Sequence, residues 1–387
     1  MLGSNDSSSS TYSNAQLTIT PVTPPTGPQL RHIKALVSNL STLASAVVLD
    51  AAAADGQSHQ QMQQLMQLQQ SMYCAAGKHL EVWPDTKVIT AGNLSVHVYA
   101  DNDYVSKSLQ NTPPFWDING VKQLLWALNQ SKSEKQQAAA RQLRATQSAA
   151  QASMTEQQQQ QASGPDRPPL MVDVGAHVGW YGFSAAVAGA RTAFFEAMPS
   201  NNRLLRRSIC SSAWLADRIT LYATGLSNKS AECSIISEDL NQGNGITICD
   251  QDAQQGVQAV TAMFKDRYKF LARDKITVRR LDAMLSEEVQ VMKIDVEGHE
   301  KQMVQGAEGL LSTSNGGIVW YIMANFNREM MSKDDQLWYL QFLDRMGYKI
   351  SEKSFQGPFY DAAAVKDGTV KVEHHHPDLY LVRKELG

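Results

Sequence analysis

The sequence lacks any run of about 18 apolar residues, so no segment reads as a membrane-spanning helix. It also lacks a charge excess: 35 Lys and Arg stand against 38 Asp and Glu, a formal net charge of -3. That balance disfavours a nucleic-acid partner held by phosphate neutralisation. Cysteine is scarce, and Cys74, Cys210, Cys233 and Cys249 form no Cys-x-x-Cys pair and no zinc spacing with histidine. Free, mostly buried thiols are the simplest expectation, with a disulfide between two of them the alternative. No signal peptide is legible. The mild apolar stretch 35–49 is broken by Asn39, Ser41, Thr42 and Ser45, and its apolar residues recur at helical spacing from Ile33 to Val48. The expectation is a soluble chain, cytoplasmic by default, in which the Asn-x-Ser sequons at Asn39, Asn93, Asn129 and Asn228 carry little weight.

The sequence also has no Gly-x-Gly-x-x-Gly. In its place stands Leu170-Met-Val-Asp-Val-Gly-Ala-His-Val-Gly179, an apolar strand ending in an acid, then a glycine turn, then helix-like sequence from Trp180 to Ala188. Strand, turn and helix open a nucleotide-type α/β domain. Asp173 occupies the position of the first glycine of a dinucleotide fingerprint. A carboxylate there repels a diphosphate, which counts against an NAD-dependent enzyme. It suits a ligand bearing ammonium and sulfonium charge, both of which S-adenosyl-L-methionine carries. About twenty residues on, Ala193-Phe-Phe-Glu196 ends a second strand in an acid, where such folds grip ribose hydroxyls.

Around this centre the chain divides. Residues 1–28 are Ser-, Thr- and Pro-rich and read as a disordered tail. Residues 29–130 hold two helices, 29–53 and 57–77, short strands split by Ala91-Gly-Asn93, and a further helix near 121–128. Met62, Leu65, Met66 and Met72 share one face of the second helix, a packing stripe. Trp116 reads as core rather than as a wall over a site. Residues 131–165 are a Gln- and Ala-rich insertion with no apolar face, and 166–387 form the main domain. That domain alternates strand and helix: strands at 170–174, 191–196, 218–223, 231–236, 276–281, 289–295, 317–323, 347–350 and 379–383, helices at 203–210, 301–311 and 336–346. Residues 238–258 read as a polar loop. The fold class is α/β, a doubly wound, mostly parallel Rossmann-like sheet with a helical N-terminal extension.

The fourth main strand ends Lys293-Ile-Asp-Val-Glu-Gly-His-Glu300. Period two puts Lys293, Asp295 and Glu297 on one face. A charged face on a central strand fits where the sheet opens into a cleft at the strands' carboxyl ends, and it places Asp173 and Asp295 across one site. His299 and Glu300 are no zinc-protease motif, because Met303 stands where a second histidine is needed, and no metal site is expected. His374, His375 and His376 read as a solvated loop.

Asp173-Val-Gly-Ala-His-Val-Gly179, Phe195-Glu196, Leu281-Asp282 and Met292-Lys-Ile-Asp-Val-Glu-Gly-His-Glu300 resemble the FkbM-type methyltransferase family. The resemblance covers about residues 168–350, and the Lys-Ile-Asp-Val-Glu-Gly run is its most specific part. It implies a class I S-adenosylmethionine-dependent methyltransferase acting on a hydroxyl of a small molecule or glycan, whether sugar, glycoconjugate or natural product. Asp173, Gly175, His177 and Gly179 would hold the methionine end of the cofactor, Glu196 the ribose, and Thr224 and Gly225 the adenine side. Asp295 would organise the reacting end, close to the cofactor, together with Lys293, with Glu297 or His299 as base. His177 stands where the family often has Asn, and Met323-Ala-Asn-Phe-Asn327 lacks the acid that often ends the fifth strand. The competing reading is an inactive methyltransferase fold used as a binding scaffold.

Overall fold

The computed structural model describes residues 57–131, 167–312, 318–374 and 377–386. The expected tail at 1–28, the helix at 29–53, nearly all of the 131–165 insertion, and His375 and His376 lie outside them. All described residues belong to one compact unit, Ala51–Gly387.

The chain begins with α1 (Gln57–Ala75), the β1 (Thr86–Ala91) and β2 (Leu94–Tyr99) hairpin, α2 (Tyr104–Leu109) and α3 (118–131). The hairpin turns at Gly92 and Asn93, as the strand pattern implied. The free edge of β2 is closed by serines: the Ser95 and His97 N–H groups donate to Ser212 Oγ at 2.9 Å and Ser208 Oγ at 2.8 Å. Of the methionine stripe on α1, Met62 is buried in the main core and Met66 packs against it.

The main sheet follows from two-sided burial. β3 (Leu170–Val174), α4 (Trp180–Val187), β4 (Arg191–Phe195), α5 (Pro199–Ser211) and β5 (Ile219–Tyr222) form its first half. The helix expected at 203–210 starts earlier because Pro199 suits the first helical turn. β6 (Gly225–Leu226), β7 (Ala231–Glu238), β8 (Asn241–Cys249) and, beyond α6 (Ala253–Met263), β9 (Phe270–Arg279) form a four-stranded side sheet in the order β6-β9-β7-β8. The second half is β10 (Val289–Ile294), α7 (Glu300–Gln305), α8 (Glu308–Leu311), β11 (Val319–Asn325), α9 (Lys333–Arg345), β12 (Tyr348–Ser351), α10 (Ala362–Asp367) and β13 (Asp378–Arg383).

The strand order is β12-β13-β11-β10-β3-β4-β5. β13 runs antiparallel to both neighbours, while the pairs from β11 to β5 are parallel. Every residue of β3, β10 and β5 is buried, the signature of strands covered on both faces. On one face Val172, Met292 and Ile322 pack with α7, α8 and α9. On the other, Met171, Val291 and Met323 pack with Leu124 and Leu128 of α3.

Two expectations are corrected. Residues 238–258 are not a loop: they hold β8 and the start of α6, which Asp252 caps by accepting the Gln254 and Gln255 N–H groups. Gly243, Gly245 and the glutamines hide the alternation, and pairing with β7 supplies the order. The cysteines are not free. Cys74 bonds Cys210, tying α1 to α5, and Cys233 bonds Cys249 across β7 and β8. Distant elements make the first contact, so spacing alone could not reveal it. No helix among the described residues is long and apolar enough to cross a membrane.

Candidate active site

Parallel strands leave their carboxyl ends at one edge, and here they surround a cavity of about 290 Å³, near the lower end of ligand pockets at roughly 300–1,000 Å³. Asp173, Gly175, His177, Glu196, Thr224, Gly225, Lys293, Asp295, Glu297 and His299 all line it. Gly179 does not. It starts α4 with φ 84°, and a Cβ there would strike Leu205 and Phe183.

At the β3–α4 turn, Asp173 is 2% exposed and its Oδ2 accepts the Gly182 N–H at 2.9 Å. Burial pushes its carboxyl up to about 7, against the pull of Lys293. Gly175 has φ 76°, and a Cβ would sit 1.8 Å from the Asp295 carbonyl oxygen, so only glycine lets the ends of β3 and β10 close on each other. Glu196, 5% exposed, joins two turns: Oε2 accepts the His177 N–H at 2.6 Å and Oε1 the Met198 N–H at 2.7 Å. Burial raises its pKa. Both oxygens keep a lone pair for a further donor.

His177 Nε2 lies 2.9 Å from Asp103 Oδ2. Burial opposes charge on both groups, but each outweighs it for the other: the imidazole is raised and the Asp103 carboxyl is held at about 2. Sequence reasoning missed Asp103. It precedes α2 as a cap, accepting the Ser106 N–H at 2.7 Å, and nothing in its spacing marked a second role.

The other end of the cavity is built on Lys293. Its Nζ lies 2.9 Å from Asp295 Oδ2 and 3.8 Å from Asp378 Oδ1, and 5.3 Å from the Tyr181 ring centre. Burial works against the ammonium, yet Asp295 and Asp378 raise its pKa. Asn325 Nδ2 donates to Asp295 Oδ1 at 3.0 Å. Burial lifts Asp378 to about 6. The acid missing from the end of β11 thus arrives from β13, where Asp378 pairs in register with Asn325. That signal was present, because the start of an antiparallel strand lies level with the ends of its parallel neighbours. Tyr181 donates its hydroxyl to Asp117, another residue the sequence did not single out.

Glu297 has φ 48°, and burial followed by the charges of Asp295 and Glu300 raises its pKa. His299 Nε2 bonds Ser227 Oγ at 2.9 Å, and burial lowers its pKa to about 4, leaving it neutral near pH 7. Trp116 is partly buried against the core and also lines the cavity beside Tyr104, so it serves as wall as well as packing. β8 contributes Asn241, Gly243, Asn244 and Gly245 to the same lining.

Lys293 is the only Lys or Arg on this wall among the described residues, against four carboxylates, Asp173, Glu196, Asp295 and Glu297. A diphosphate does not fit such a wall. A cationic ligand with ribose hydroxyls does.

Residues 173–350 match the family model of the methyltransferase FkbM domain. Every strand that lines the cavity begins within or at the border of that FkbM segment. No curated protein matches the sequence. Among solved structures, methyltransferase FkbM from Methylobacillus flagellatus KT is similar over 56% of this chain and 43% of its own, at 16% identity and a TM-score of 0.34. This chain therefore spans less than half of that relative. The SAM-dependent methyltransferase from Agrobacterium tumefaciens matches over 79% of this chain and 72% of its own, at 10% identity and a TM-score of 0.33. Precorrin-6y C5,15-methyltransferase from Geobacter metallireducens GS-15 matches over 61% and 92%, at 13% identity and a TM-score of 0.27.

Proposed function

We propose that the protein is an S-adenosylmethionine-dependent methyltransferase that methylates a hydroxyl of a sugar, glycoconjugate or related small molecule. The observation that carries this reading is Lys293 and Asp295 on the same cavity wall as the Gly175 turn and Glu196, with Asn325 holding Asp295 and Asp378 beside Lys293. Gly175, His177 and Asp173 would hold the amino-acid end of the cofactor, Glu196 its ribose, and Thr224 and Gly225 its adenine side. Gly179 would act indirectly, by starting α4. The cofactor supplies a methyl group already activated on a cationic sulfur.

The chain's own work is positioning and proton removal. Asp295, held by Lys293 and Asn325, accepts a hydrogen bond from the acceptor hydroxyl and fixes its direction. Orientation of this kind is worth roughly 7–11 kcal/mol of barrier. Glu297, whose pKa is raised by burial, would take the proton of the acceptor hydroxyl, and the bound cofactor would supply the methyl group to that oxygen. His299 is tied to Ser227 and is the second candidate for that proton.

Calorimetric titration with S-adenosylhomocysteine tests the pocket. The expected result is saturable binding that Asp173→Ala abolishes. Folded protein that binds none would overturn the assignment and leave a methyltransferase fold used for binding alone. Transfer of labelled methyl groups to a panel of glycans and polyols then tests the acceptor class.

A further inference from the structure

We infer that this chain matures in an oxidising secretory compartment and carries an N-linked glycan on Asn93. Two independent observations meet here. All four cysteines are consumed in two disulfides, Cys74–Cys210 and Cys233–Cys249, each joining separate elements of secondary structure. A fully paired set belongs to oxidising compartments, because glutathione and thioredoxin keep thiols reduced in the cytosol. In such a compartment the Asn-x-Ser sequons become substrates.

Among the described residues, the fold then selects between Asn93, Asn129 and Asn228. Asn93 is exposed at the tip of the β1–β2 hairpin, beside Gly92, where a Cβ would meet nothing within 4 Å. Its carbonyl accepts the Trp214 Nε1–H at 3.1 Å, which anchors the backbone and leaves the side chain outward. Asn93 does not line the active-site cavity, so a glycan there leaves the site open. Asn228, in contrast, is half-buried, and its amide donates to Gln305 Oε1 at 3.0 Å. Asn129 is exposed but lies inside α3, whose Leu124 and Leu128 pack into the core. A bulky group is accommodated at Asn93 without displacing a contact.

The chemistry balances with a polyprenyl-pyrophosphate-linked oligosaccharide as donor. A bond forms between Asn93 Nδ2 and the anomeric carbon, the bond from that carbon to pyrophosphate breaks, and the amide proton leaves with the pyrophosphate. Ser95 is needed only while the chain is unfolded. Each disulfide forms as two thiols lose two protons and two electrons to a disulfide-bearing oxidoreductase.

The test uses full-length protein purified from the cells that make it. Peptide N-glycosidase is expected to increase its gel mobility and to convert Asn93 to Asp in the recovered peptide. Thiol alkylation before reduction should label no cysteine. The Asn93→Gln chain, expressed in the same cells, should lose the mobility change and keep the wild-type melting temperature. Asn93 recovered unmodified, a glycosidase shift that survives Asn93→Gln, or alkylation of the four cysteines without reduction would each overturn the inference.

Discussion

Lys293 decides the character of the cavity more than any other residue. It is 2% exposed among carboxylates that could not share the space without it. Lys293→Met should destabilise the protein by about 1–3 kcal/mol, the cost of leaving the half-buried Asp295 and Asp378 without their partner, read from the denaturant midpoint. Asp295→Asn keeps the shape and the Asn325 contact but gives up the Lys293 ion pair. It should lower kcat by roughly 10²-fold or more while S-adenosylhomocysteine binds as before. Wild-type turnover in that variant would remove Asp295 from the mechanism. Much of this end was legible in the sequence, because an acid or lysine closing an otherwise apolar central strand has few places to go except a cleft. Asp378 was harder to see, since its strand reaches the site only by running backwards between β11 and β12.

Among elements, the contact between α2 and the β3–α4 turn is the most testable. Asp103 and His177 are the pair that joins them, and Gly243 of β8 presses on both: a Cβ there would lie 2.2 Å from His177 Nε2 and 2.5 Å from Asp103 Oδ2. Asp103→Asn preserves the cap on α2 but removes the charge. The Asp103 carboxyl is held at about 2, so its contribution is complete above the ordinary carboxyl value of about 4 and is lost as pH falls toward 2. The His177 pKa is raised, so its contribution is complete below about 6.5 and is lost as pH rises through the raised value. The difference in melting temperature between wild type and Asp103→Asn should therefore be largest between about pH 4 and 6.5, and should narrow on both sides. A difference independent of pH would mean that the pair is not charged. Gly175→Ala acts on the same turn from below. With φ at 76° and the Asp295 carbonyl 1.8 Å from any Cβ, it should cost about 3 kcal/mol and weaken ligand binding. The elements themselves followed from pattern where apolar runs or period-two alternation were clean, as in β3, β4 and β10. They failed at β8, whose glycines and amide side chains hide any periodic signal and whose order comes from its neighbour.

For the whole molecule, the disulfides outweigh any single packing contact. Cys74–Cys210 spans 136 residues and should contribute about 2–5 kcal/mol by restricting the unfolded chain. A reducing agent should lower the melting temperature by several degrees and Cys74→Ser with Cys210→Ser should reproduce most of that loss, as followed by calorimetry. Unchanged melting in excess reductant would mean that the bridge adds nothing to stability. The sheet was foreseeable at this scale because strand–helix alternation and the glycine turn restrict the topology severely. The cross-links were not, because Cys74 and Cys210 stand 136 residues apart on helices that only the fold brings together.

The pairing of those cysteines also bears on synthesis. Four cysteines allow three connectivities, and this fold uses the one that joins first to second and third to fourth. A chain emerging from the ribosome at roughly 5–20 residues per second exposes Cys210 while Cys74 is its sole available mate, and Cys249 while Cys233 is. Oxidation in order of appearance therefore writes the native connectivity directly, with no bond to be undone.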